Sequence, residues 1–464
     1  MAADMSPSES RNPYSFYPDP YSAYMEHESL YNYRPGGFHP IDLGDTLQDG
    51  RYVIRHKLGH GGFSTVWLAR DTREQQWVSI KIKTAEASAE TPDKDPEANV
   101  ALDLERHYTS SAQAQEKPRC FARLLACFRH TGPNGTHNCL VTELLGPTVD
   151  EVLETFKENY LTLRPDTTLR ASQQLLDAIA FVHQAGIAHG DISYSNVAFT
   201  CKRAMASEED LFDAMGGEPT TVPAGEDEDL PPNLPRHMVQ ATAWPSWFEH
   251  VDEDICVLDW GLVFPKDKRL EELDQPKTLR VPETFFLDSF DYRHDLWRVG
   301  CVIYGLFYQQ EICRYGGREN LQVREYVSKL GPLPASWQAK WEEMLKADPD
   351  AGEDESVAPP NYITETFEPR RRAIMSACAD DEQNEYEEDE HTDHDYEALE
   401  CLKRVIFGLL QYGPEKRVEA EVAASWIREK WTDYRRQERE EESEDEEGQD
   451  DRDEDSVAGS ELDE

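Results

Sequence analysis

The chain has 464 residues and a formal net charge of −46, from 93 acidic and 47 basic residues. Such a surface repels nucleic-acid phosphates, so we expect no direct nucleic-acid partner and, instead, partners that are neutral or basic. The nine cysteines occur singly, without a CxxC pair, which indicates reduced thiols rather than a disulfide framework or a zinc site. We find no stretch typical of a signal peptide or a membrane span, and we therefore expect a soluble intracellular protein without a membrane partner.

Residues 1–50 carry Pro, Gly and Tyr without a lasting period, which predicts a mostly irregular leader. The segment that follows reads as strands around one helix, because apolar residues alternate in most of it and follow a helical pattern over Glu97–Tyr108. This pattern predicts a small β-rich lobe over residues 51–146. Its predicted strands are an antiparallel meander of Arg51–Gly59, Thr65–Ala69 and Trp77–Lys83, and two further strands at residues 120–128 and 137–145.

From residue 147 the apolar pattern becomes mainly helical and predicts a larger α-rich lobe over residues 147–434. The predicted helices include Leu169–Ala185, His294–Phe307 and Leu402–Tyr412. The fold class is therefore α+β. The first of these helices places a row of apolar residues along one face, namely Leu175, Leu176, Ile179 and Val182.

Three low-complexity stretches interrupt or end these patterns. Residues 201–253 are polar, acidic and Pro-rich, and their lack of core-forming periodicity predicts an insertion outside the fold. Residues 379–399 form a second acidic insertion, and residues 435–464 form an acidic tail that we expect to be disordered. These acidic stretches are either solvated surface or a means of attracting basic substrates.

A glycine-rich segment, LGHGGFSTVW at residues 58–67, lies between two predicted strands. Glycines at positions 59, 61 and 62 allow the backbone to approach phosphate oxygens without clashes from Cβ atoms. The same glycines could serve only as turn residues of a hairpin. The next strand, WVSIKIK, places Lys81 in a V-x-I-K setting from which an ammonium can reach the phosphates, and Lys83 is its competitor because it points to the same face.

The strongest pattern is HGDISYSN at residues 189–196, directly after the amphipathic helix. Asp191 can orient and deprotonate an incoming hydroxyl, while Asn196 on the same loop can hold a magnesium ion. Farther along, CVLDWGL places Asp259 between a short apolar strand and a glycine, where a carboxylate can coordinate magnesium that bridges phosphates. The four motifs in this order predict phosphoryl transfer from ATP.

The order of these motifs and the residues within them resemble those of the protein kinase family, and above all those of the SR-protein-specific kinases of fungi. The segments that carry this resemblance are YRPGGFHPIDLGDTL, GRYVIRHKLGHGGFSTVWLARD, HGDISxxN and the LPPNLP that precedes VLDWG, within about residues 33–426. The resemblance implies a bilobal kinase fold with a β-rich N-lobe and an α-rich C-lobe. It implies ATP and Mg²⁺ as cofactors.

The resemblance also implies a role for individual residues. The catalytic residues would be Lys81, Asp191 and Asn196, and the metal ligands would be Asn196 and Asp259. The nucleotide would contact Leu58, Gly59, Gly61, Gly62, Val66, Lys81 and the backbone of Glu143 and Leu145, with Thr142 behind the adenine. Two further expectations are structural: Glu283 of VPE pairs with Arg417, and Asp295 holds backbone amides near His189.

Three positions depart from the kinase pattern. Ala101 aligns with the helix carboxylate that normally pairs with the strand lysine, and Glu97 or Glu105, one turn to either side, could replace it or could be solvent-facing. Gly190 stands in place of the Arg of H-R-D, so control by loop phosphorylation is not expected. Ser193 stands in place of the catalytic-loop Lys, which removes a cation and is expected to reduce turnover.

The resemblance implies a non-specific serine/threonine protein kinase that transfers the γ-phosphoryl group of ATP to protein hydroxyls. Its substrates would be Arg/Ser-rich or otherwise basic, with a role in regulating mRNA splicing, and the enzyme would be a monomer of the cytoplasm and nucleus. Three alternatives stay open: a pseudokinase scaffold that binds ATP weakly or not at all, a kinase without an Arg-Ser preference, and a small-molecule phosphotransferase of the aminoglycoside or choline kinase type.

Overall fold

The computed structural model describes residues 12–430 except 18, 20–24, 26, 112–115, 160, 162, 226–229, 249, 251–252, 314–317 and 348–398. The predicted acidic stretch 379–399, apart from its last residue, and the tail 435–464 therefore lie outside the described residues. The chain divides into two compact units: residues up to Thr155 with Tyr194–Val263, and Phe156–Ser193 with the residues from Phe264 onward. Within the described residues, no helix is long and apolar enough to cross a membrane.

The first unit contains a six-stranded antiparallel sheet with the strand order β1-β2-β3-β4-β6-β5. Its alternating sequence buries one side chain in two against a shared core, as the period of a strand requires, and that core includes Ile54, Trp67 and Ile80. The predicted strands are confirmed, except that the one predicted over residues 120–128 is shifted by four residues and spans Leu124–Gly132. Their bounds are β1 (Thr46–Leu47), β2 (Tyr52–His60), β3 (Ser64–Asp71), β4 (Gln76–Lys83), β5 (Leu124–Gly132) and β6 (Gly135–Glu143).

The first helix of this unit, α1 (Pro96–Ser110), confirms the helix predicted over Glu97–Tyr108 and extends it slightly at both ends. The carboxylate of Asp95 accepts hydrogen bonds from the backbone N–H groups of Glu97 and Ala98, both at 3.1 Å, and thus caps the helix. Pro96 at the first helical position supports the same start. A further helix, α2 (Val149–Glu158), follows the sheet.

The leader and residues 201–253 pack together in the first unit. Their buried side chains share one cluster, whose members are Phe16, Tyr17, Met25, Leu30, Tyr33 and Phe38 from the leader and Val222, Leu234 and Met238 from the second stretch. The prediction that residues 201–253 lie outside the fold is therefore wrong for the described residues. Its core residues lie on two strands of three residues each and on the loop between them, and such short elements show no lasting period in the sequence. This stretch contributes α4 (Glu208–Ala214), β9 (Thr221–Pro223) and β10 (His237–Val239).

The second unit is mainly helical. Its long helix α3 (Pro165–Gln184) buries the predicted face, since Leu175, Leu176 and Ile179 are fully inaccessible. The predicted helices at 294–307 and 402–412 are confirmed as well, as α6 and α9. The elements of this unit after α3 are β7 (Ile187–Ala188), β12 (Phe264–Pro265), α5 (Glu283–Phe286), α6 (His294–Tyr308), α7 (Glu319–Leu330), α8 (Gln338–Ala347), α9 (Glu400–Leu409) and a helix over residues 420–430.

A buried ion pair joins the leader to the sheet of the first unit. The ammonium of Lys57 on β2 contacts the carboxylate of Glu28, which also accepts a hydrogen bond from the hydroxyl of Tyr33. Both charged side chains are at least 95% buried. Breaking such a pair from one side is costly, because the other charge stays buried without its partner.

Lys57→Met is therefore expected to lower the free energy of unfolding by about 3 kcal/mol. Arg34→Met is the matched control, because it removes an exposed pair with Glu86 and is expected to leave the free energy of unfolding nearly unchanged. Urea unfolding followed by tryptophan fluorescence measures both, and Trp67 lies beside the Lys57 ammonium, 5.3 Å from nitrogen to ring centre. Equal losses for the two variants would contradict the assignment of the leader to this core.

Candidate active site

Strand register aligns three of the predicted site residues across the sheet of the first unit. Gly59 on β2 pairs with Val66 on β3, and Val66 pairs in turn with Lys81 on β4. The chain reverses between β2 and β3 at the glycine-rich segment, where the N–H of Gly61 donates to the carbonyl of Ser64 at 2.9 Å. The segment is thus a hairpin turn, and its strands place it beside the lysine.

The glycines of this turn border open space. A Cβ atom built on Gly59, Gly61 or Gly62 would meet no described atom within 4 Å. A ligand could therefore approach the backbone of the turn closely, as a phosphate group requires. Leu58 precedes this turn on β2 and is half-buried.

Lys81 lies between two carboxylates. Its Nζ is 2.7 Å from Oε1 of Glu97 on α1 and 3.0 Å from Oδ1 of Asp259. Burial by itself lowers the pKa of Lys81, but the two carboxylates outweigh that effect and raise the pKa above its ordinary value. The ammonium is therefore charged and fixed in position, as a group that binds phosphates must be.

The competing lysine has a different partner. Lys83 Nζ lies 3.1 Å from Oδ2 of the buried Asp95, the residue that caps α1. Lys83 therefore fastens the helix start to the sheet, although its ammonium is also 3.4 Å from Oε2 of Glu97. This arrangement favours Lys81 as the phosphate-binding residue.

The assignment of the helix carboxylate position to Ala101 is wrong. Glu97, one turn nearer the start of α1, supplies the carboxylate, while Ala101 is buried. Glu105, the other candidate, instead pairs with Arg119 at 3.0 Å. The kinase pattern was matched by residue type alone, whereas the cap at Asp95 and the contact with Lys81 show that the first turn of α1 supplies the carboxylate.

A two-stranded ribbon brings the two predicted metal ligands to the same end. Strand β8 (Val197–Phe199) pairs antiparallel with β11 (Ile255–Val257), and the N–H of Leu258 donates to the carbonyl of Asn196 at 2.8 Å. Asn196 directly precedes β8, and Asp259 lies two residues after β11. An amide oxygen and a carboxylate at one end of a ribbon suit Mg²⁺, which prefers oxygen ligands.

The backbone of Asp259 is in the left-handed region, with a φ of 61°. This conformation is unfavourable for a residue with a Cβ and is typical of residues held for function. The side chain is 43% exposed. Its carboxylate Oδ1 accepts a hydrogen bond from the N–H of Gly261 at 3.2 Å as well as facing Lys81, which fixes its direction.

The second unit holds the loop with Asp191. The buried carboxylate of Asp295 on α6 accepts hydrogen bonds from the N–H of His189 at 2.8 Å and of Gly190 at 3.0 Å, as predicted. Burial favours the neutral acid, but His294 and His183 outweigh it and hold the pKa of Asp295 well below its usual range. Gly190 has a φ of 87°, a conformation that glycine adopts without strain.

The predicted pair of Glu283 and Arg417 is also present in this unit. The two side chains form a bidentate ion pair with nitrogen–oxygen distances of 2.7 and 2.6 Å, and both are almost completely buried. A second buried arginine, Arg298 on α6, donates to Oδ1 of Asp191 at 3.0 Å. Sequence reasoning did not single out Arg298, although a charged residue within the apolar run DLWRVGCVIYGLF is a signal of a buried ion pair.

The remaining predicted site residues lie at the end of β6. Thr142 pairs with Ser79 of β4, and the N–H of Glu143 donates to the carbonyl of Arg123 at 3.1 Å. Leu145 follows the strand and is buried. The assignment of this stretch to adenine binding stays a prediction.

Comparison with known proteins finds that the chain is similar to several named kinases. It is 37% identical over 183 residues to Serine/threonine-protein kinase spk-1 of Caenorhabditis briggsae, which is 38% of this chain and 15% of that protein. It is 34% identical over 171 residues to Serine/threonine-protein kinase SKY1 of Saccharomyces cerevisiae, 37% of this chain and 22% of that protein. No protein-family model matches the chain.

A third relative is similar over most of its length. Serine/threonine-protein kinase SRPK of Physarum polycephalum is 24% identical over 415 residues, which are 85% of this chain and 89% of that protein. The matched region thus spans less than a third of the worm and yeast relatives and most of the slime-mould relative.

Glu97→Gln is expected to reduce phosphate transfer on the order of 100-fold, because the amide no longer holds the Lys81 ammonium in place. Glu105→Gln is the matched control on the same helix and is expected to stay within about twofold of the unaltered chain, since Glu105 contacts Arg119 and not Lys81. Steady-state transfer of labelled phosphate from Mg·ATP measures both. Equal rates for the two variants would show that Glu97 does not support Lys81.

Proposed function

Because this chain is homologous to the SRPK-family serine/threonine kinases, fungal ones included, we propose that it is a serine/threonine protein kinase that uses ATP. The homology confirms the family resemblance that the motifs predicted. The observation that carries the proposal is the charged Lys81 held between Glu97 and Asp259 beside an open glycine turn. Homology to kinases also supports the proposal that the two lobes of the kinase fold are present.

The residues of the first unit fit a nucleotide and its metal ion. Lys81 would bind the α- and β-phosphates, and the backbone of the glycine turn would lie along the phosphate chain. Asn196 and Asp259 would hold Mg²⁺, which when bound neutralises charge on the phosphates. The ion pairs of Lys81 with Glu97 and Asp259 orient these groups before the nucleotide binds, so little reorganisation is needed during transfer.

Asp191 would act on the acceptor. Its carboxylate would orient the incoming serine or threonine hydroxyl and accept its proton as the new bond to phosphorus forms. Asp295 supports this role, because its hydrogen bonds to the N–H groups of His189 and Gly190 fix the backbone on which Asp191 sits.

The alternative of a pseudokinase scaffold has lost its main argument. That alternative depended on the missing helix carboxylate, and Glu97 supplies one at 2.7 Å from Lys81. The chain also retains Asp191, Asn196 and Asp259. Ser193 in place of the catalytic-loop lysine remains a reason to expect slower turnover, by a few kcal/mol of activation free energy at most.

We propose that the substrates are basic proteins, above all those rich in Arg-Ser pairs. The net charge of −46 supports this class of substrate, since an acidic enzyme attracts basic chains and accelerates their association. The family resemblance supports a role in regulating mRNA splicing. We further propose a monomer that acts in the cytoplasm and nucleus without a membrane partner, and the net charge of −46 is unfavourable for direct binding of nucleic acid.

Transfer of labelled phosphate from Mg·ATP to an Arg-Ser repeat peptide tests the proposal, with a Lys-Ser repeat of equal charge as the second substrate. Asp191→Ala is expected to reduce transfer at least about 1,000-fold and to leave the affinity for ATP within about twofold, because Asp191 acts on the hydroxyl. Asp288→Ala, which removes an exposed carboxylate of the same unit, is the control and is expected to keep full activity.

Transfer to the Arg-Ser peptide that is lost in Asp191→Ala supports both the activity and the substrate class. Equal transfer to the two peptides would contradict the Arg-Ser preference and leave a kinase of basic substrates. ATP binding without transfer to either peptide or to a generic basic protein would contradict the proposed activity.

A further inference from the structure

Arg298 is a fully buried arginine whose guanidinium reaches the proposed catalytic carboxylate. It lies on α6, in an otherwise apolar stretch, and its side chain has no exposed surface. Nη1 donates to Oδ1 of Asp191 at 3.0 Å and to the carbonyl of Gly190 at 3.2 Å. Nη2 donates to the carbonyl of Asp274 at 3.0 Å. One cation thus contacts the Asp191 loop at two points and a second segment at a third.

The burial of this cation is unfavourable for stability alone. Desolvation lowers the pKa of Arg298, and its Nε has no partner among the described residues. A buried charge with an unsatisfied N–H is costly, and apolar residues of similar volume often stabilise such a site as well or better. Positions that break a packing rule in this way are expected at functional sites.

The two buried arginines of this unit differ in the carboxylate that they bind. Arg417 pairs with Glu283, whose carboxylate is 1% exposed and has no place in the proposed reaction. Arg298 pairs with Asp191, whose side chain is 26% exposed. The Arg417–Glu283 pair therefore stabilises the core, while the Arg298–Asp191 pair orients a carboxylate that solvent and substrate can reach.

The Asp191 loop lacks the cations that kinase loops usually carry. Gly190 and Ser193 stand where the kinase pattern has an arginine and a lysine. In this chain a cation reaches the loop from α6 instead, through the guanidinium of Arg298.

We propose that Arg298 is a positioning residue that fixes the rotation of the Asp191 carboxylate through Oδ1 and the course of the loop through the carbonyl of Gly190. This role rests on the proposed kinase function. In the reaction, the hydroxyl oxygen of the substrate bonds to the γ-phosphorus and its proton passes to Asp191. The bond from that phosphorus to the bridging oxygen breaks, and ADP leaves with the electron pair. Arg298 is unchanged throughout and acts by holding the proton acceptor in line.

The test compares Arg298→Met, Arg298→Lys and Arg417→Met in the full chain. Arg298→Met is expected to lower kcat on the order of 100-fold with KM for ATP within about twofold, because misplacing a catalytic group by about 1 Å has an effect of this size. Arg298→Lys keeps the charge but cannot make all three contacts, so it is expected to recover part of the lost kcat. Arg417→Met is expected to lower the melting temperature without a comparable loss of kcat. Here kcat is calculated per correctly folded molecule, and the number of folded molecules is measured as the number that bind ATP.

A double-mutant cycle separates positioning from a structural role. In an Asp191→Asn background, Arg298→Met is expected to lower the residual transfer rate by less than about threefold, because the group that it positions no longer accepts the proton. An equal loss in both backgrounds, or a loss matched by Arg417→Met, would overturn the proposal. If the unaltered chain transfers no phosphate to any substrate, the proposed function itself is wrong. If the unaltered chain is active but the effects of Arg298→Met and Asp191→Asn are additive, only the positioning role of Arg298 is wrong.

Discussion

The ion pairs of Lys81 connect the separate segments of the first unit that have functional motifs. The lysine comes from the middle of a strand, Glu97 from the first turn of a helix and Asp259 from the loop after a two-stranded ribbon. The Lys81 side chain is only 20% exposed, and a charge that has lost most of its water is stabilised by carboxylate partners. The three segments therefore favour one another's positions. The glycine turn connects β2 and β3, and Asn196 directly precedes β8, so these strands determine where both lie.

In the second unit, buried side chains of α6 hold the loop that contains Asp191. The loop with Asp191 is short and irregular, so it depends on side chains from α6 for its shape. Asp295 accepts hydrogen bonds from two of its N–H groups, and Arg298 donates to its carbonyl and to its carboxylate. Asp295 and Arg298 are three residues apart and therefore neighbours on one face of α6. The carboxylate accepts hydrogen bonds from N–H groups of the loop, and the guanidinium donates hydrogen bonds to its oxygen atoms.

Sequence patterns predicted the regular elements well, because strands and helices with a buried face have a fixed apolar period. The motif residues Gly59, Val66 and Lys81 could be grouped in advance for the same reason, since they lie on consecutive strands. The helix carboxylate was misassigned to Ala101, although the helix itself was predicted, because the kinase pattern does not show which turn of the helix contacts Lys81. The contacts of Arg298 are long-range, and periodicity contains no information about them.

The cluster shared by the leader and residues 201–253 limits where this chain can be shortened. Tyr17, Tyr33 and Phe38 of the leader are at least 97% buried, and Val222 and Met238 lie against them. A fragment that starts at the first long strand would leave these apolar surfaces open to water, and exposed patches of this kind promote self-association. Recombinant production of the catalytic region alone is thus expected to yield aggregated protein, and the leader functions as part of the folding unit.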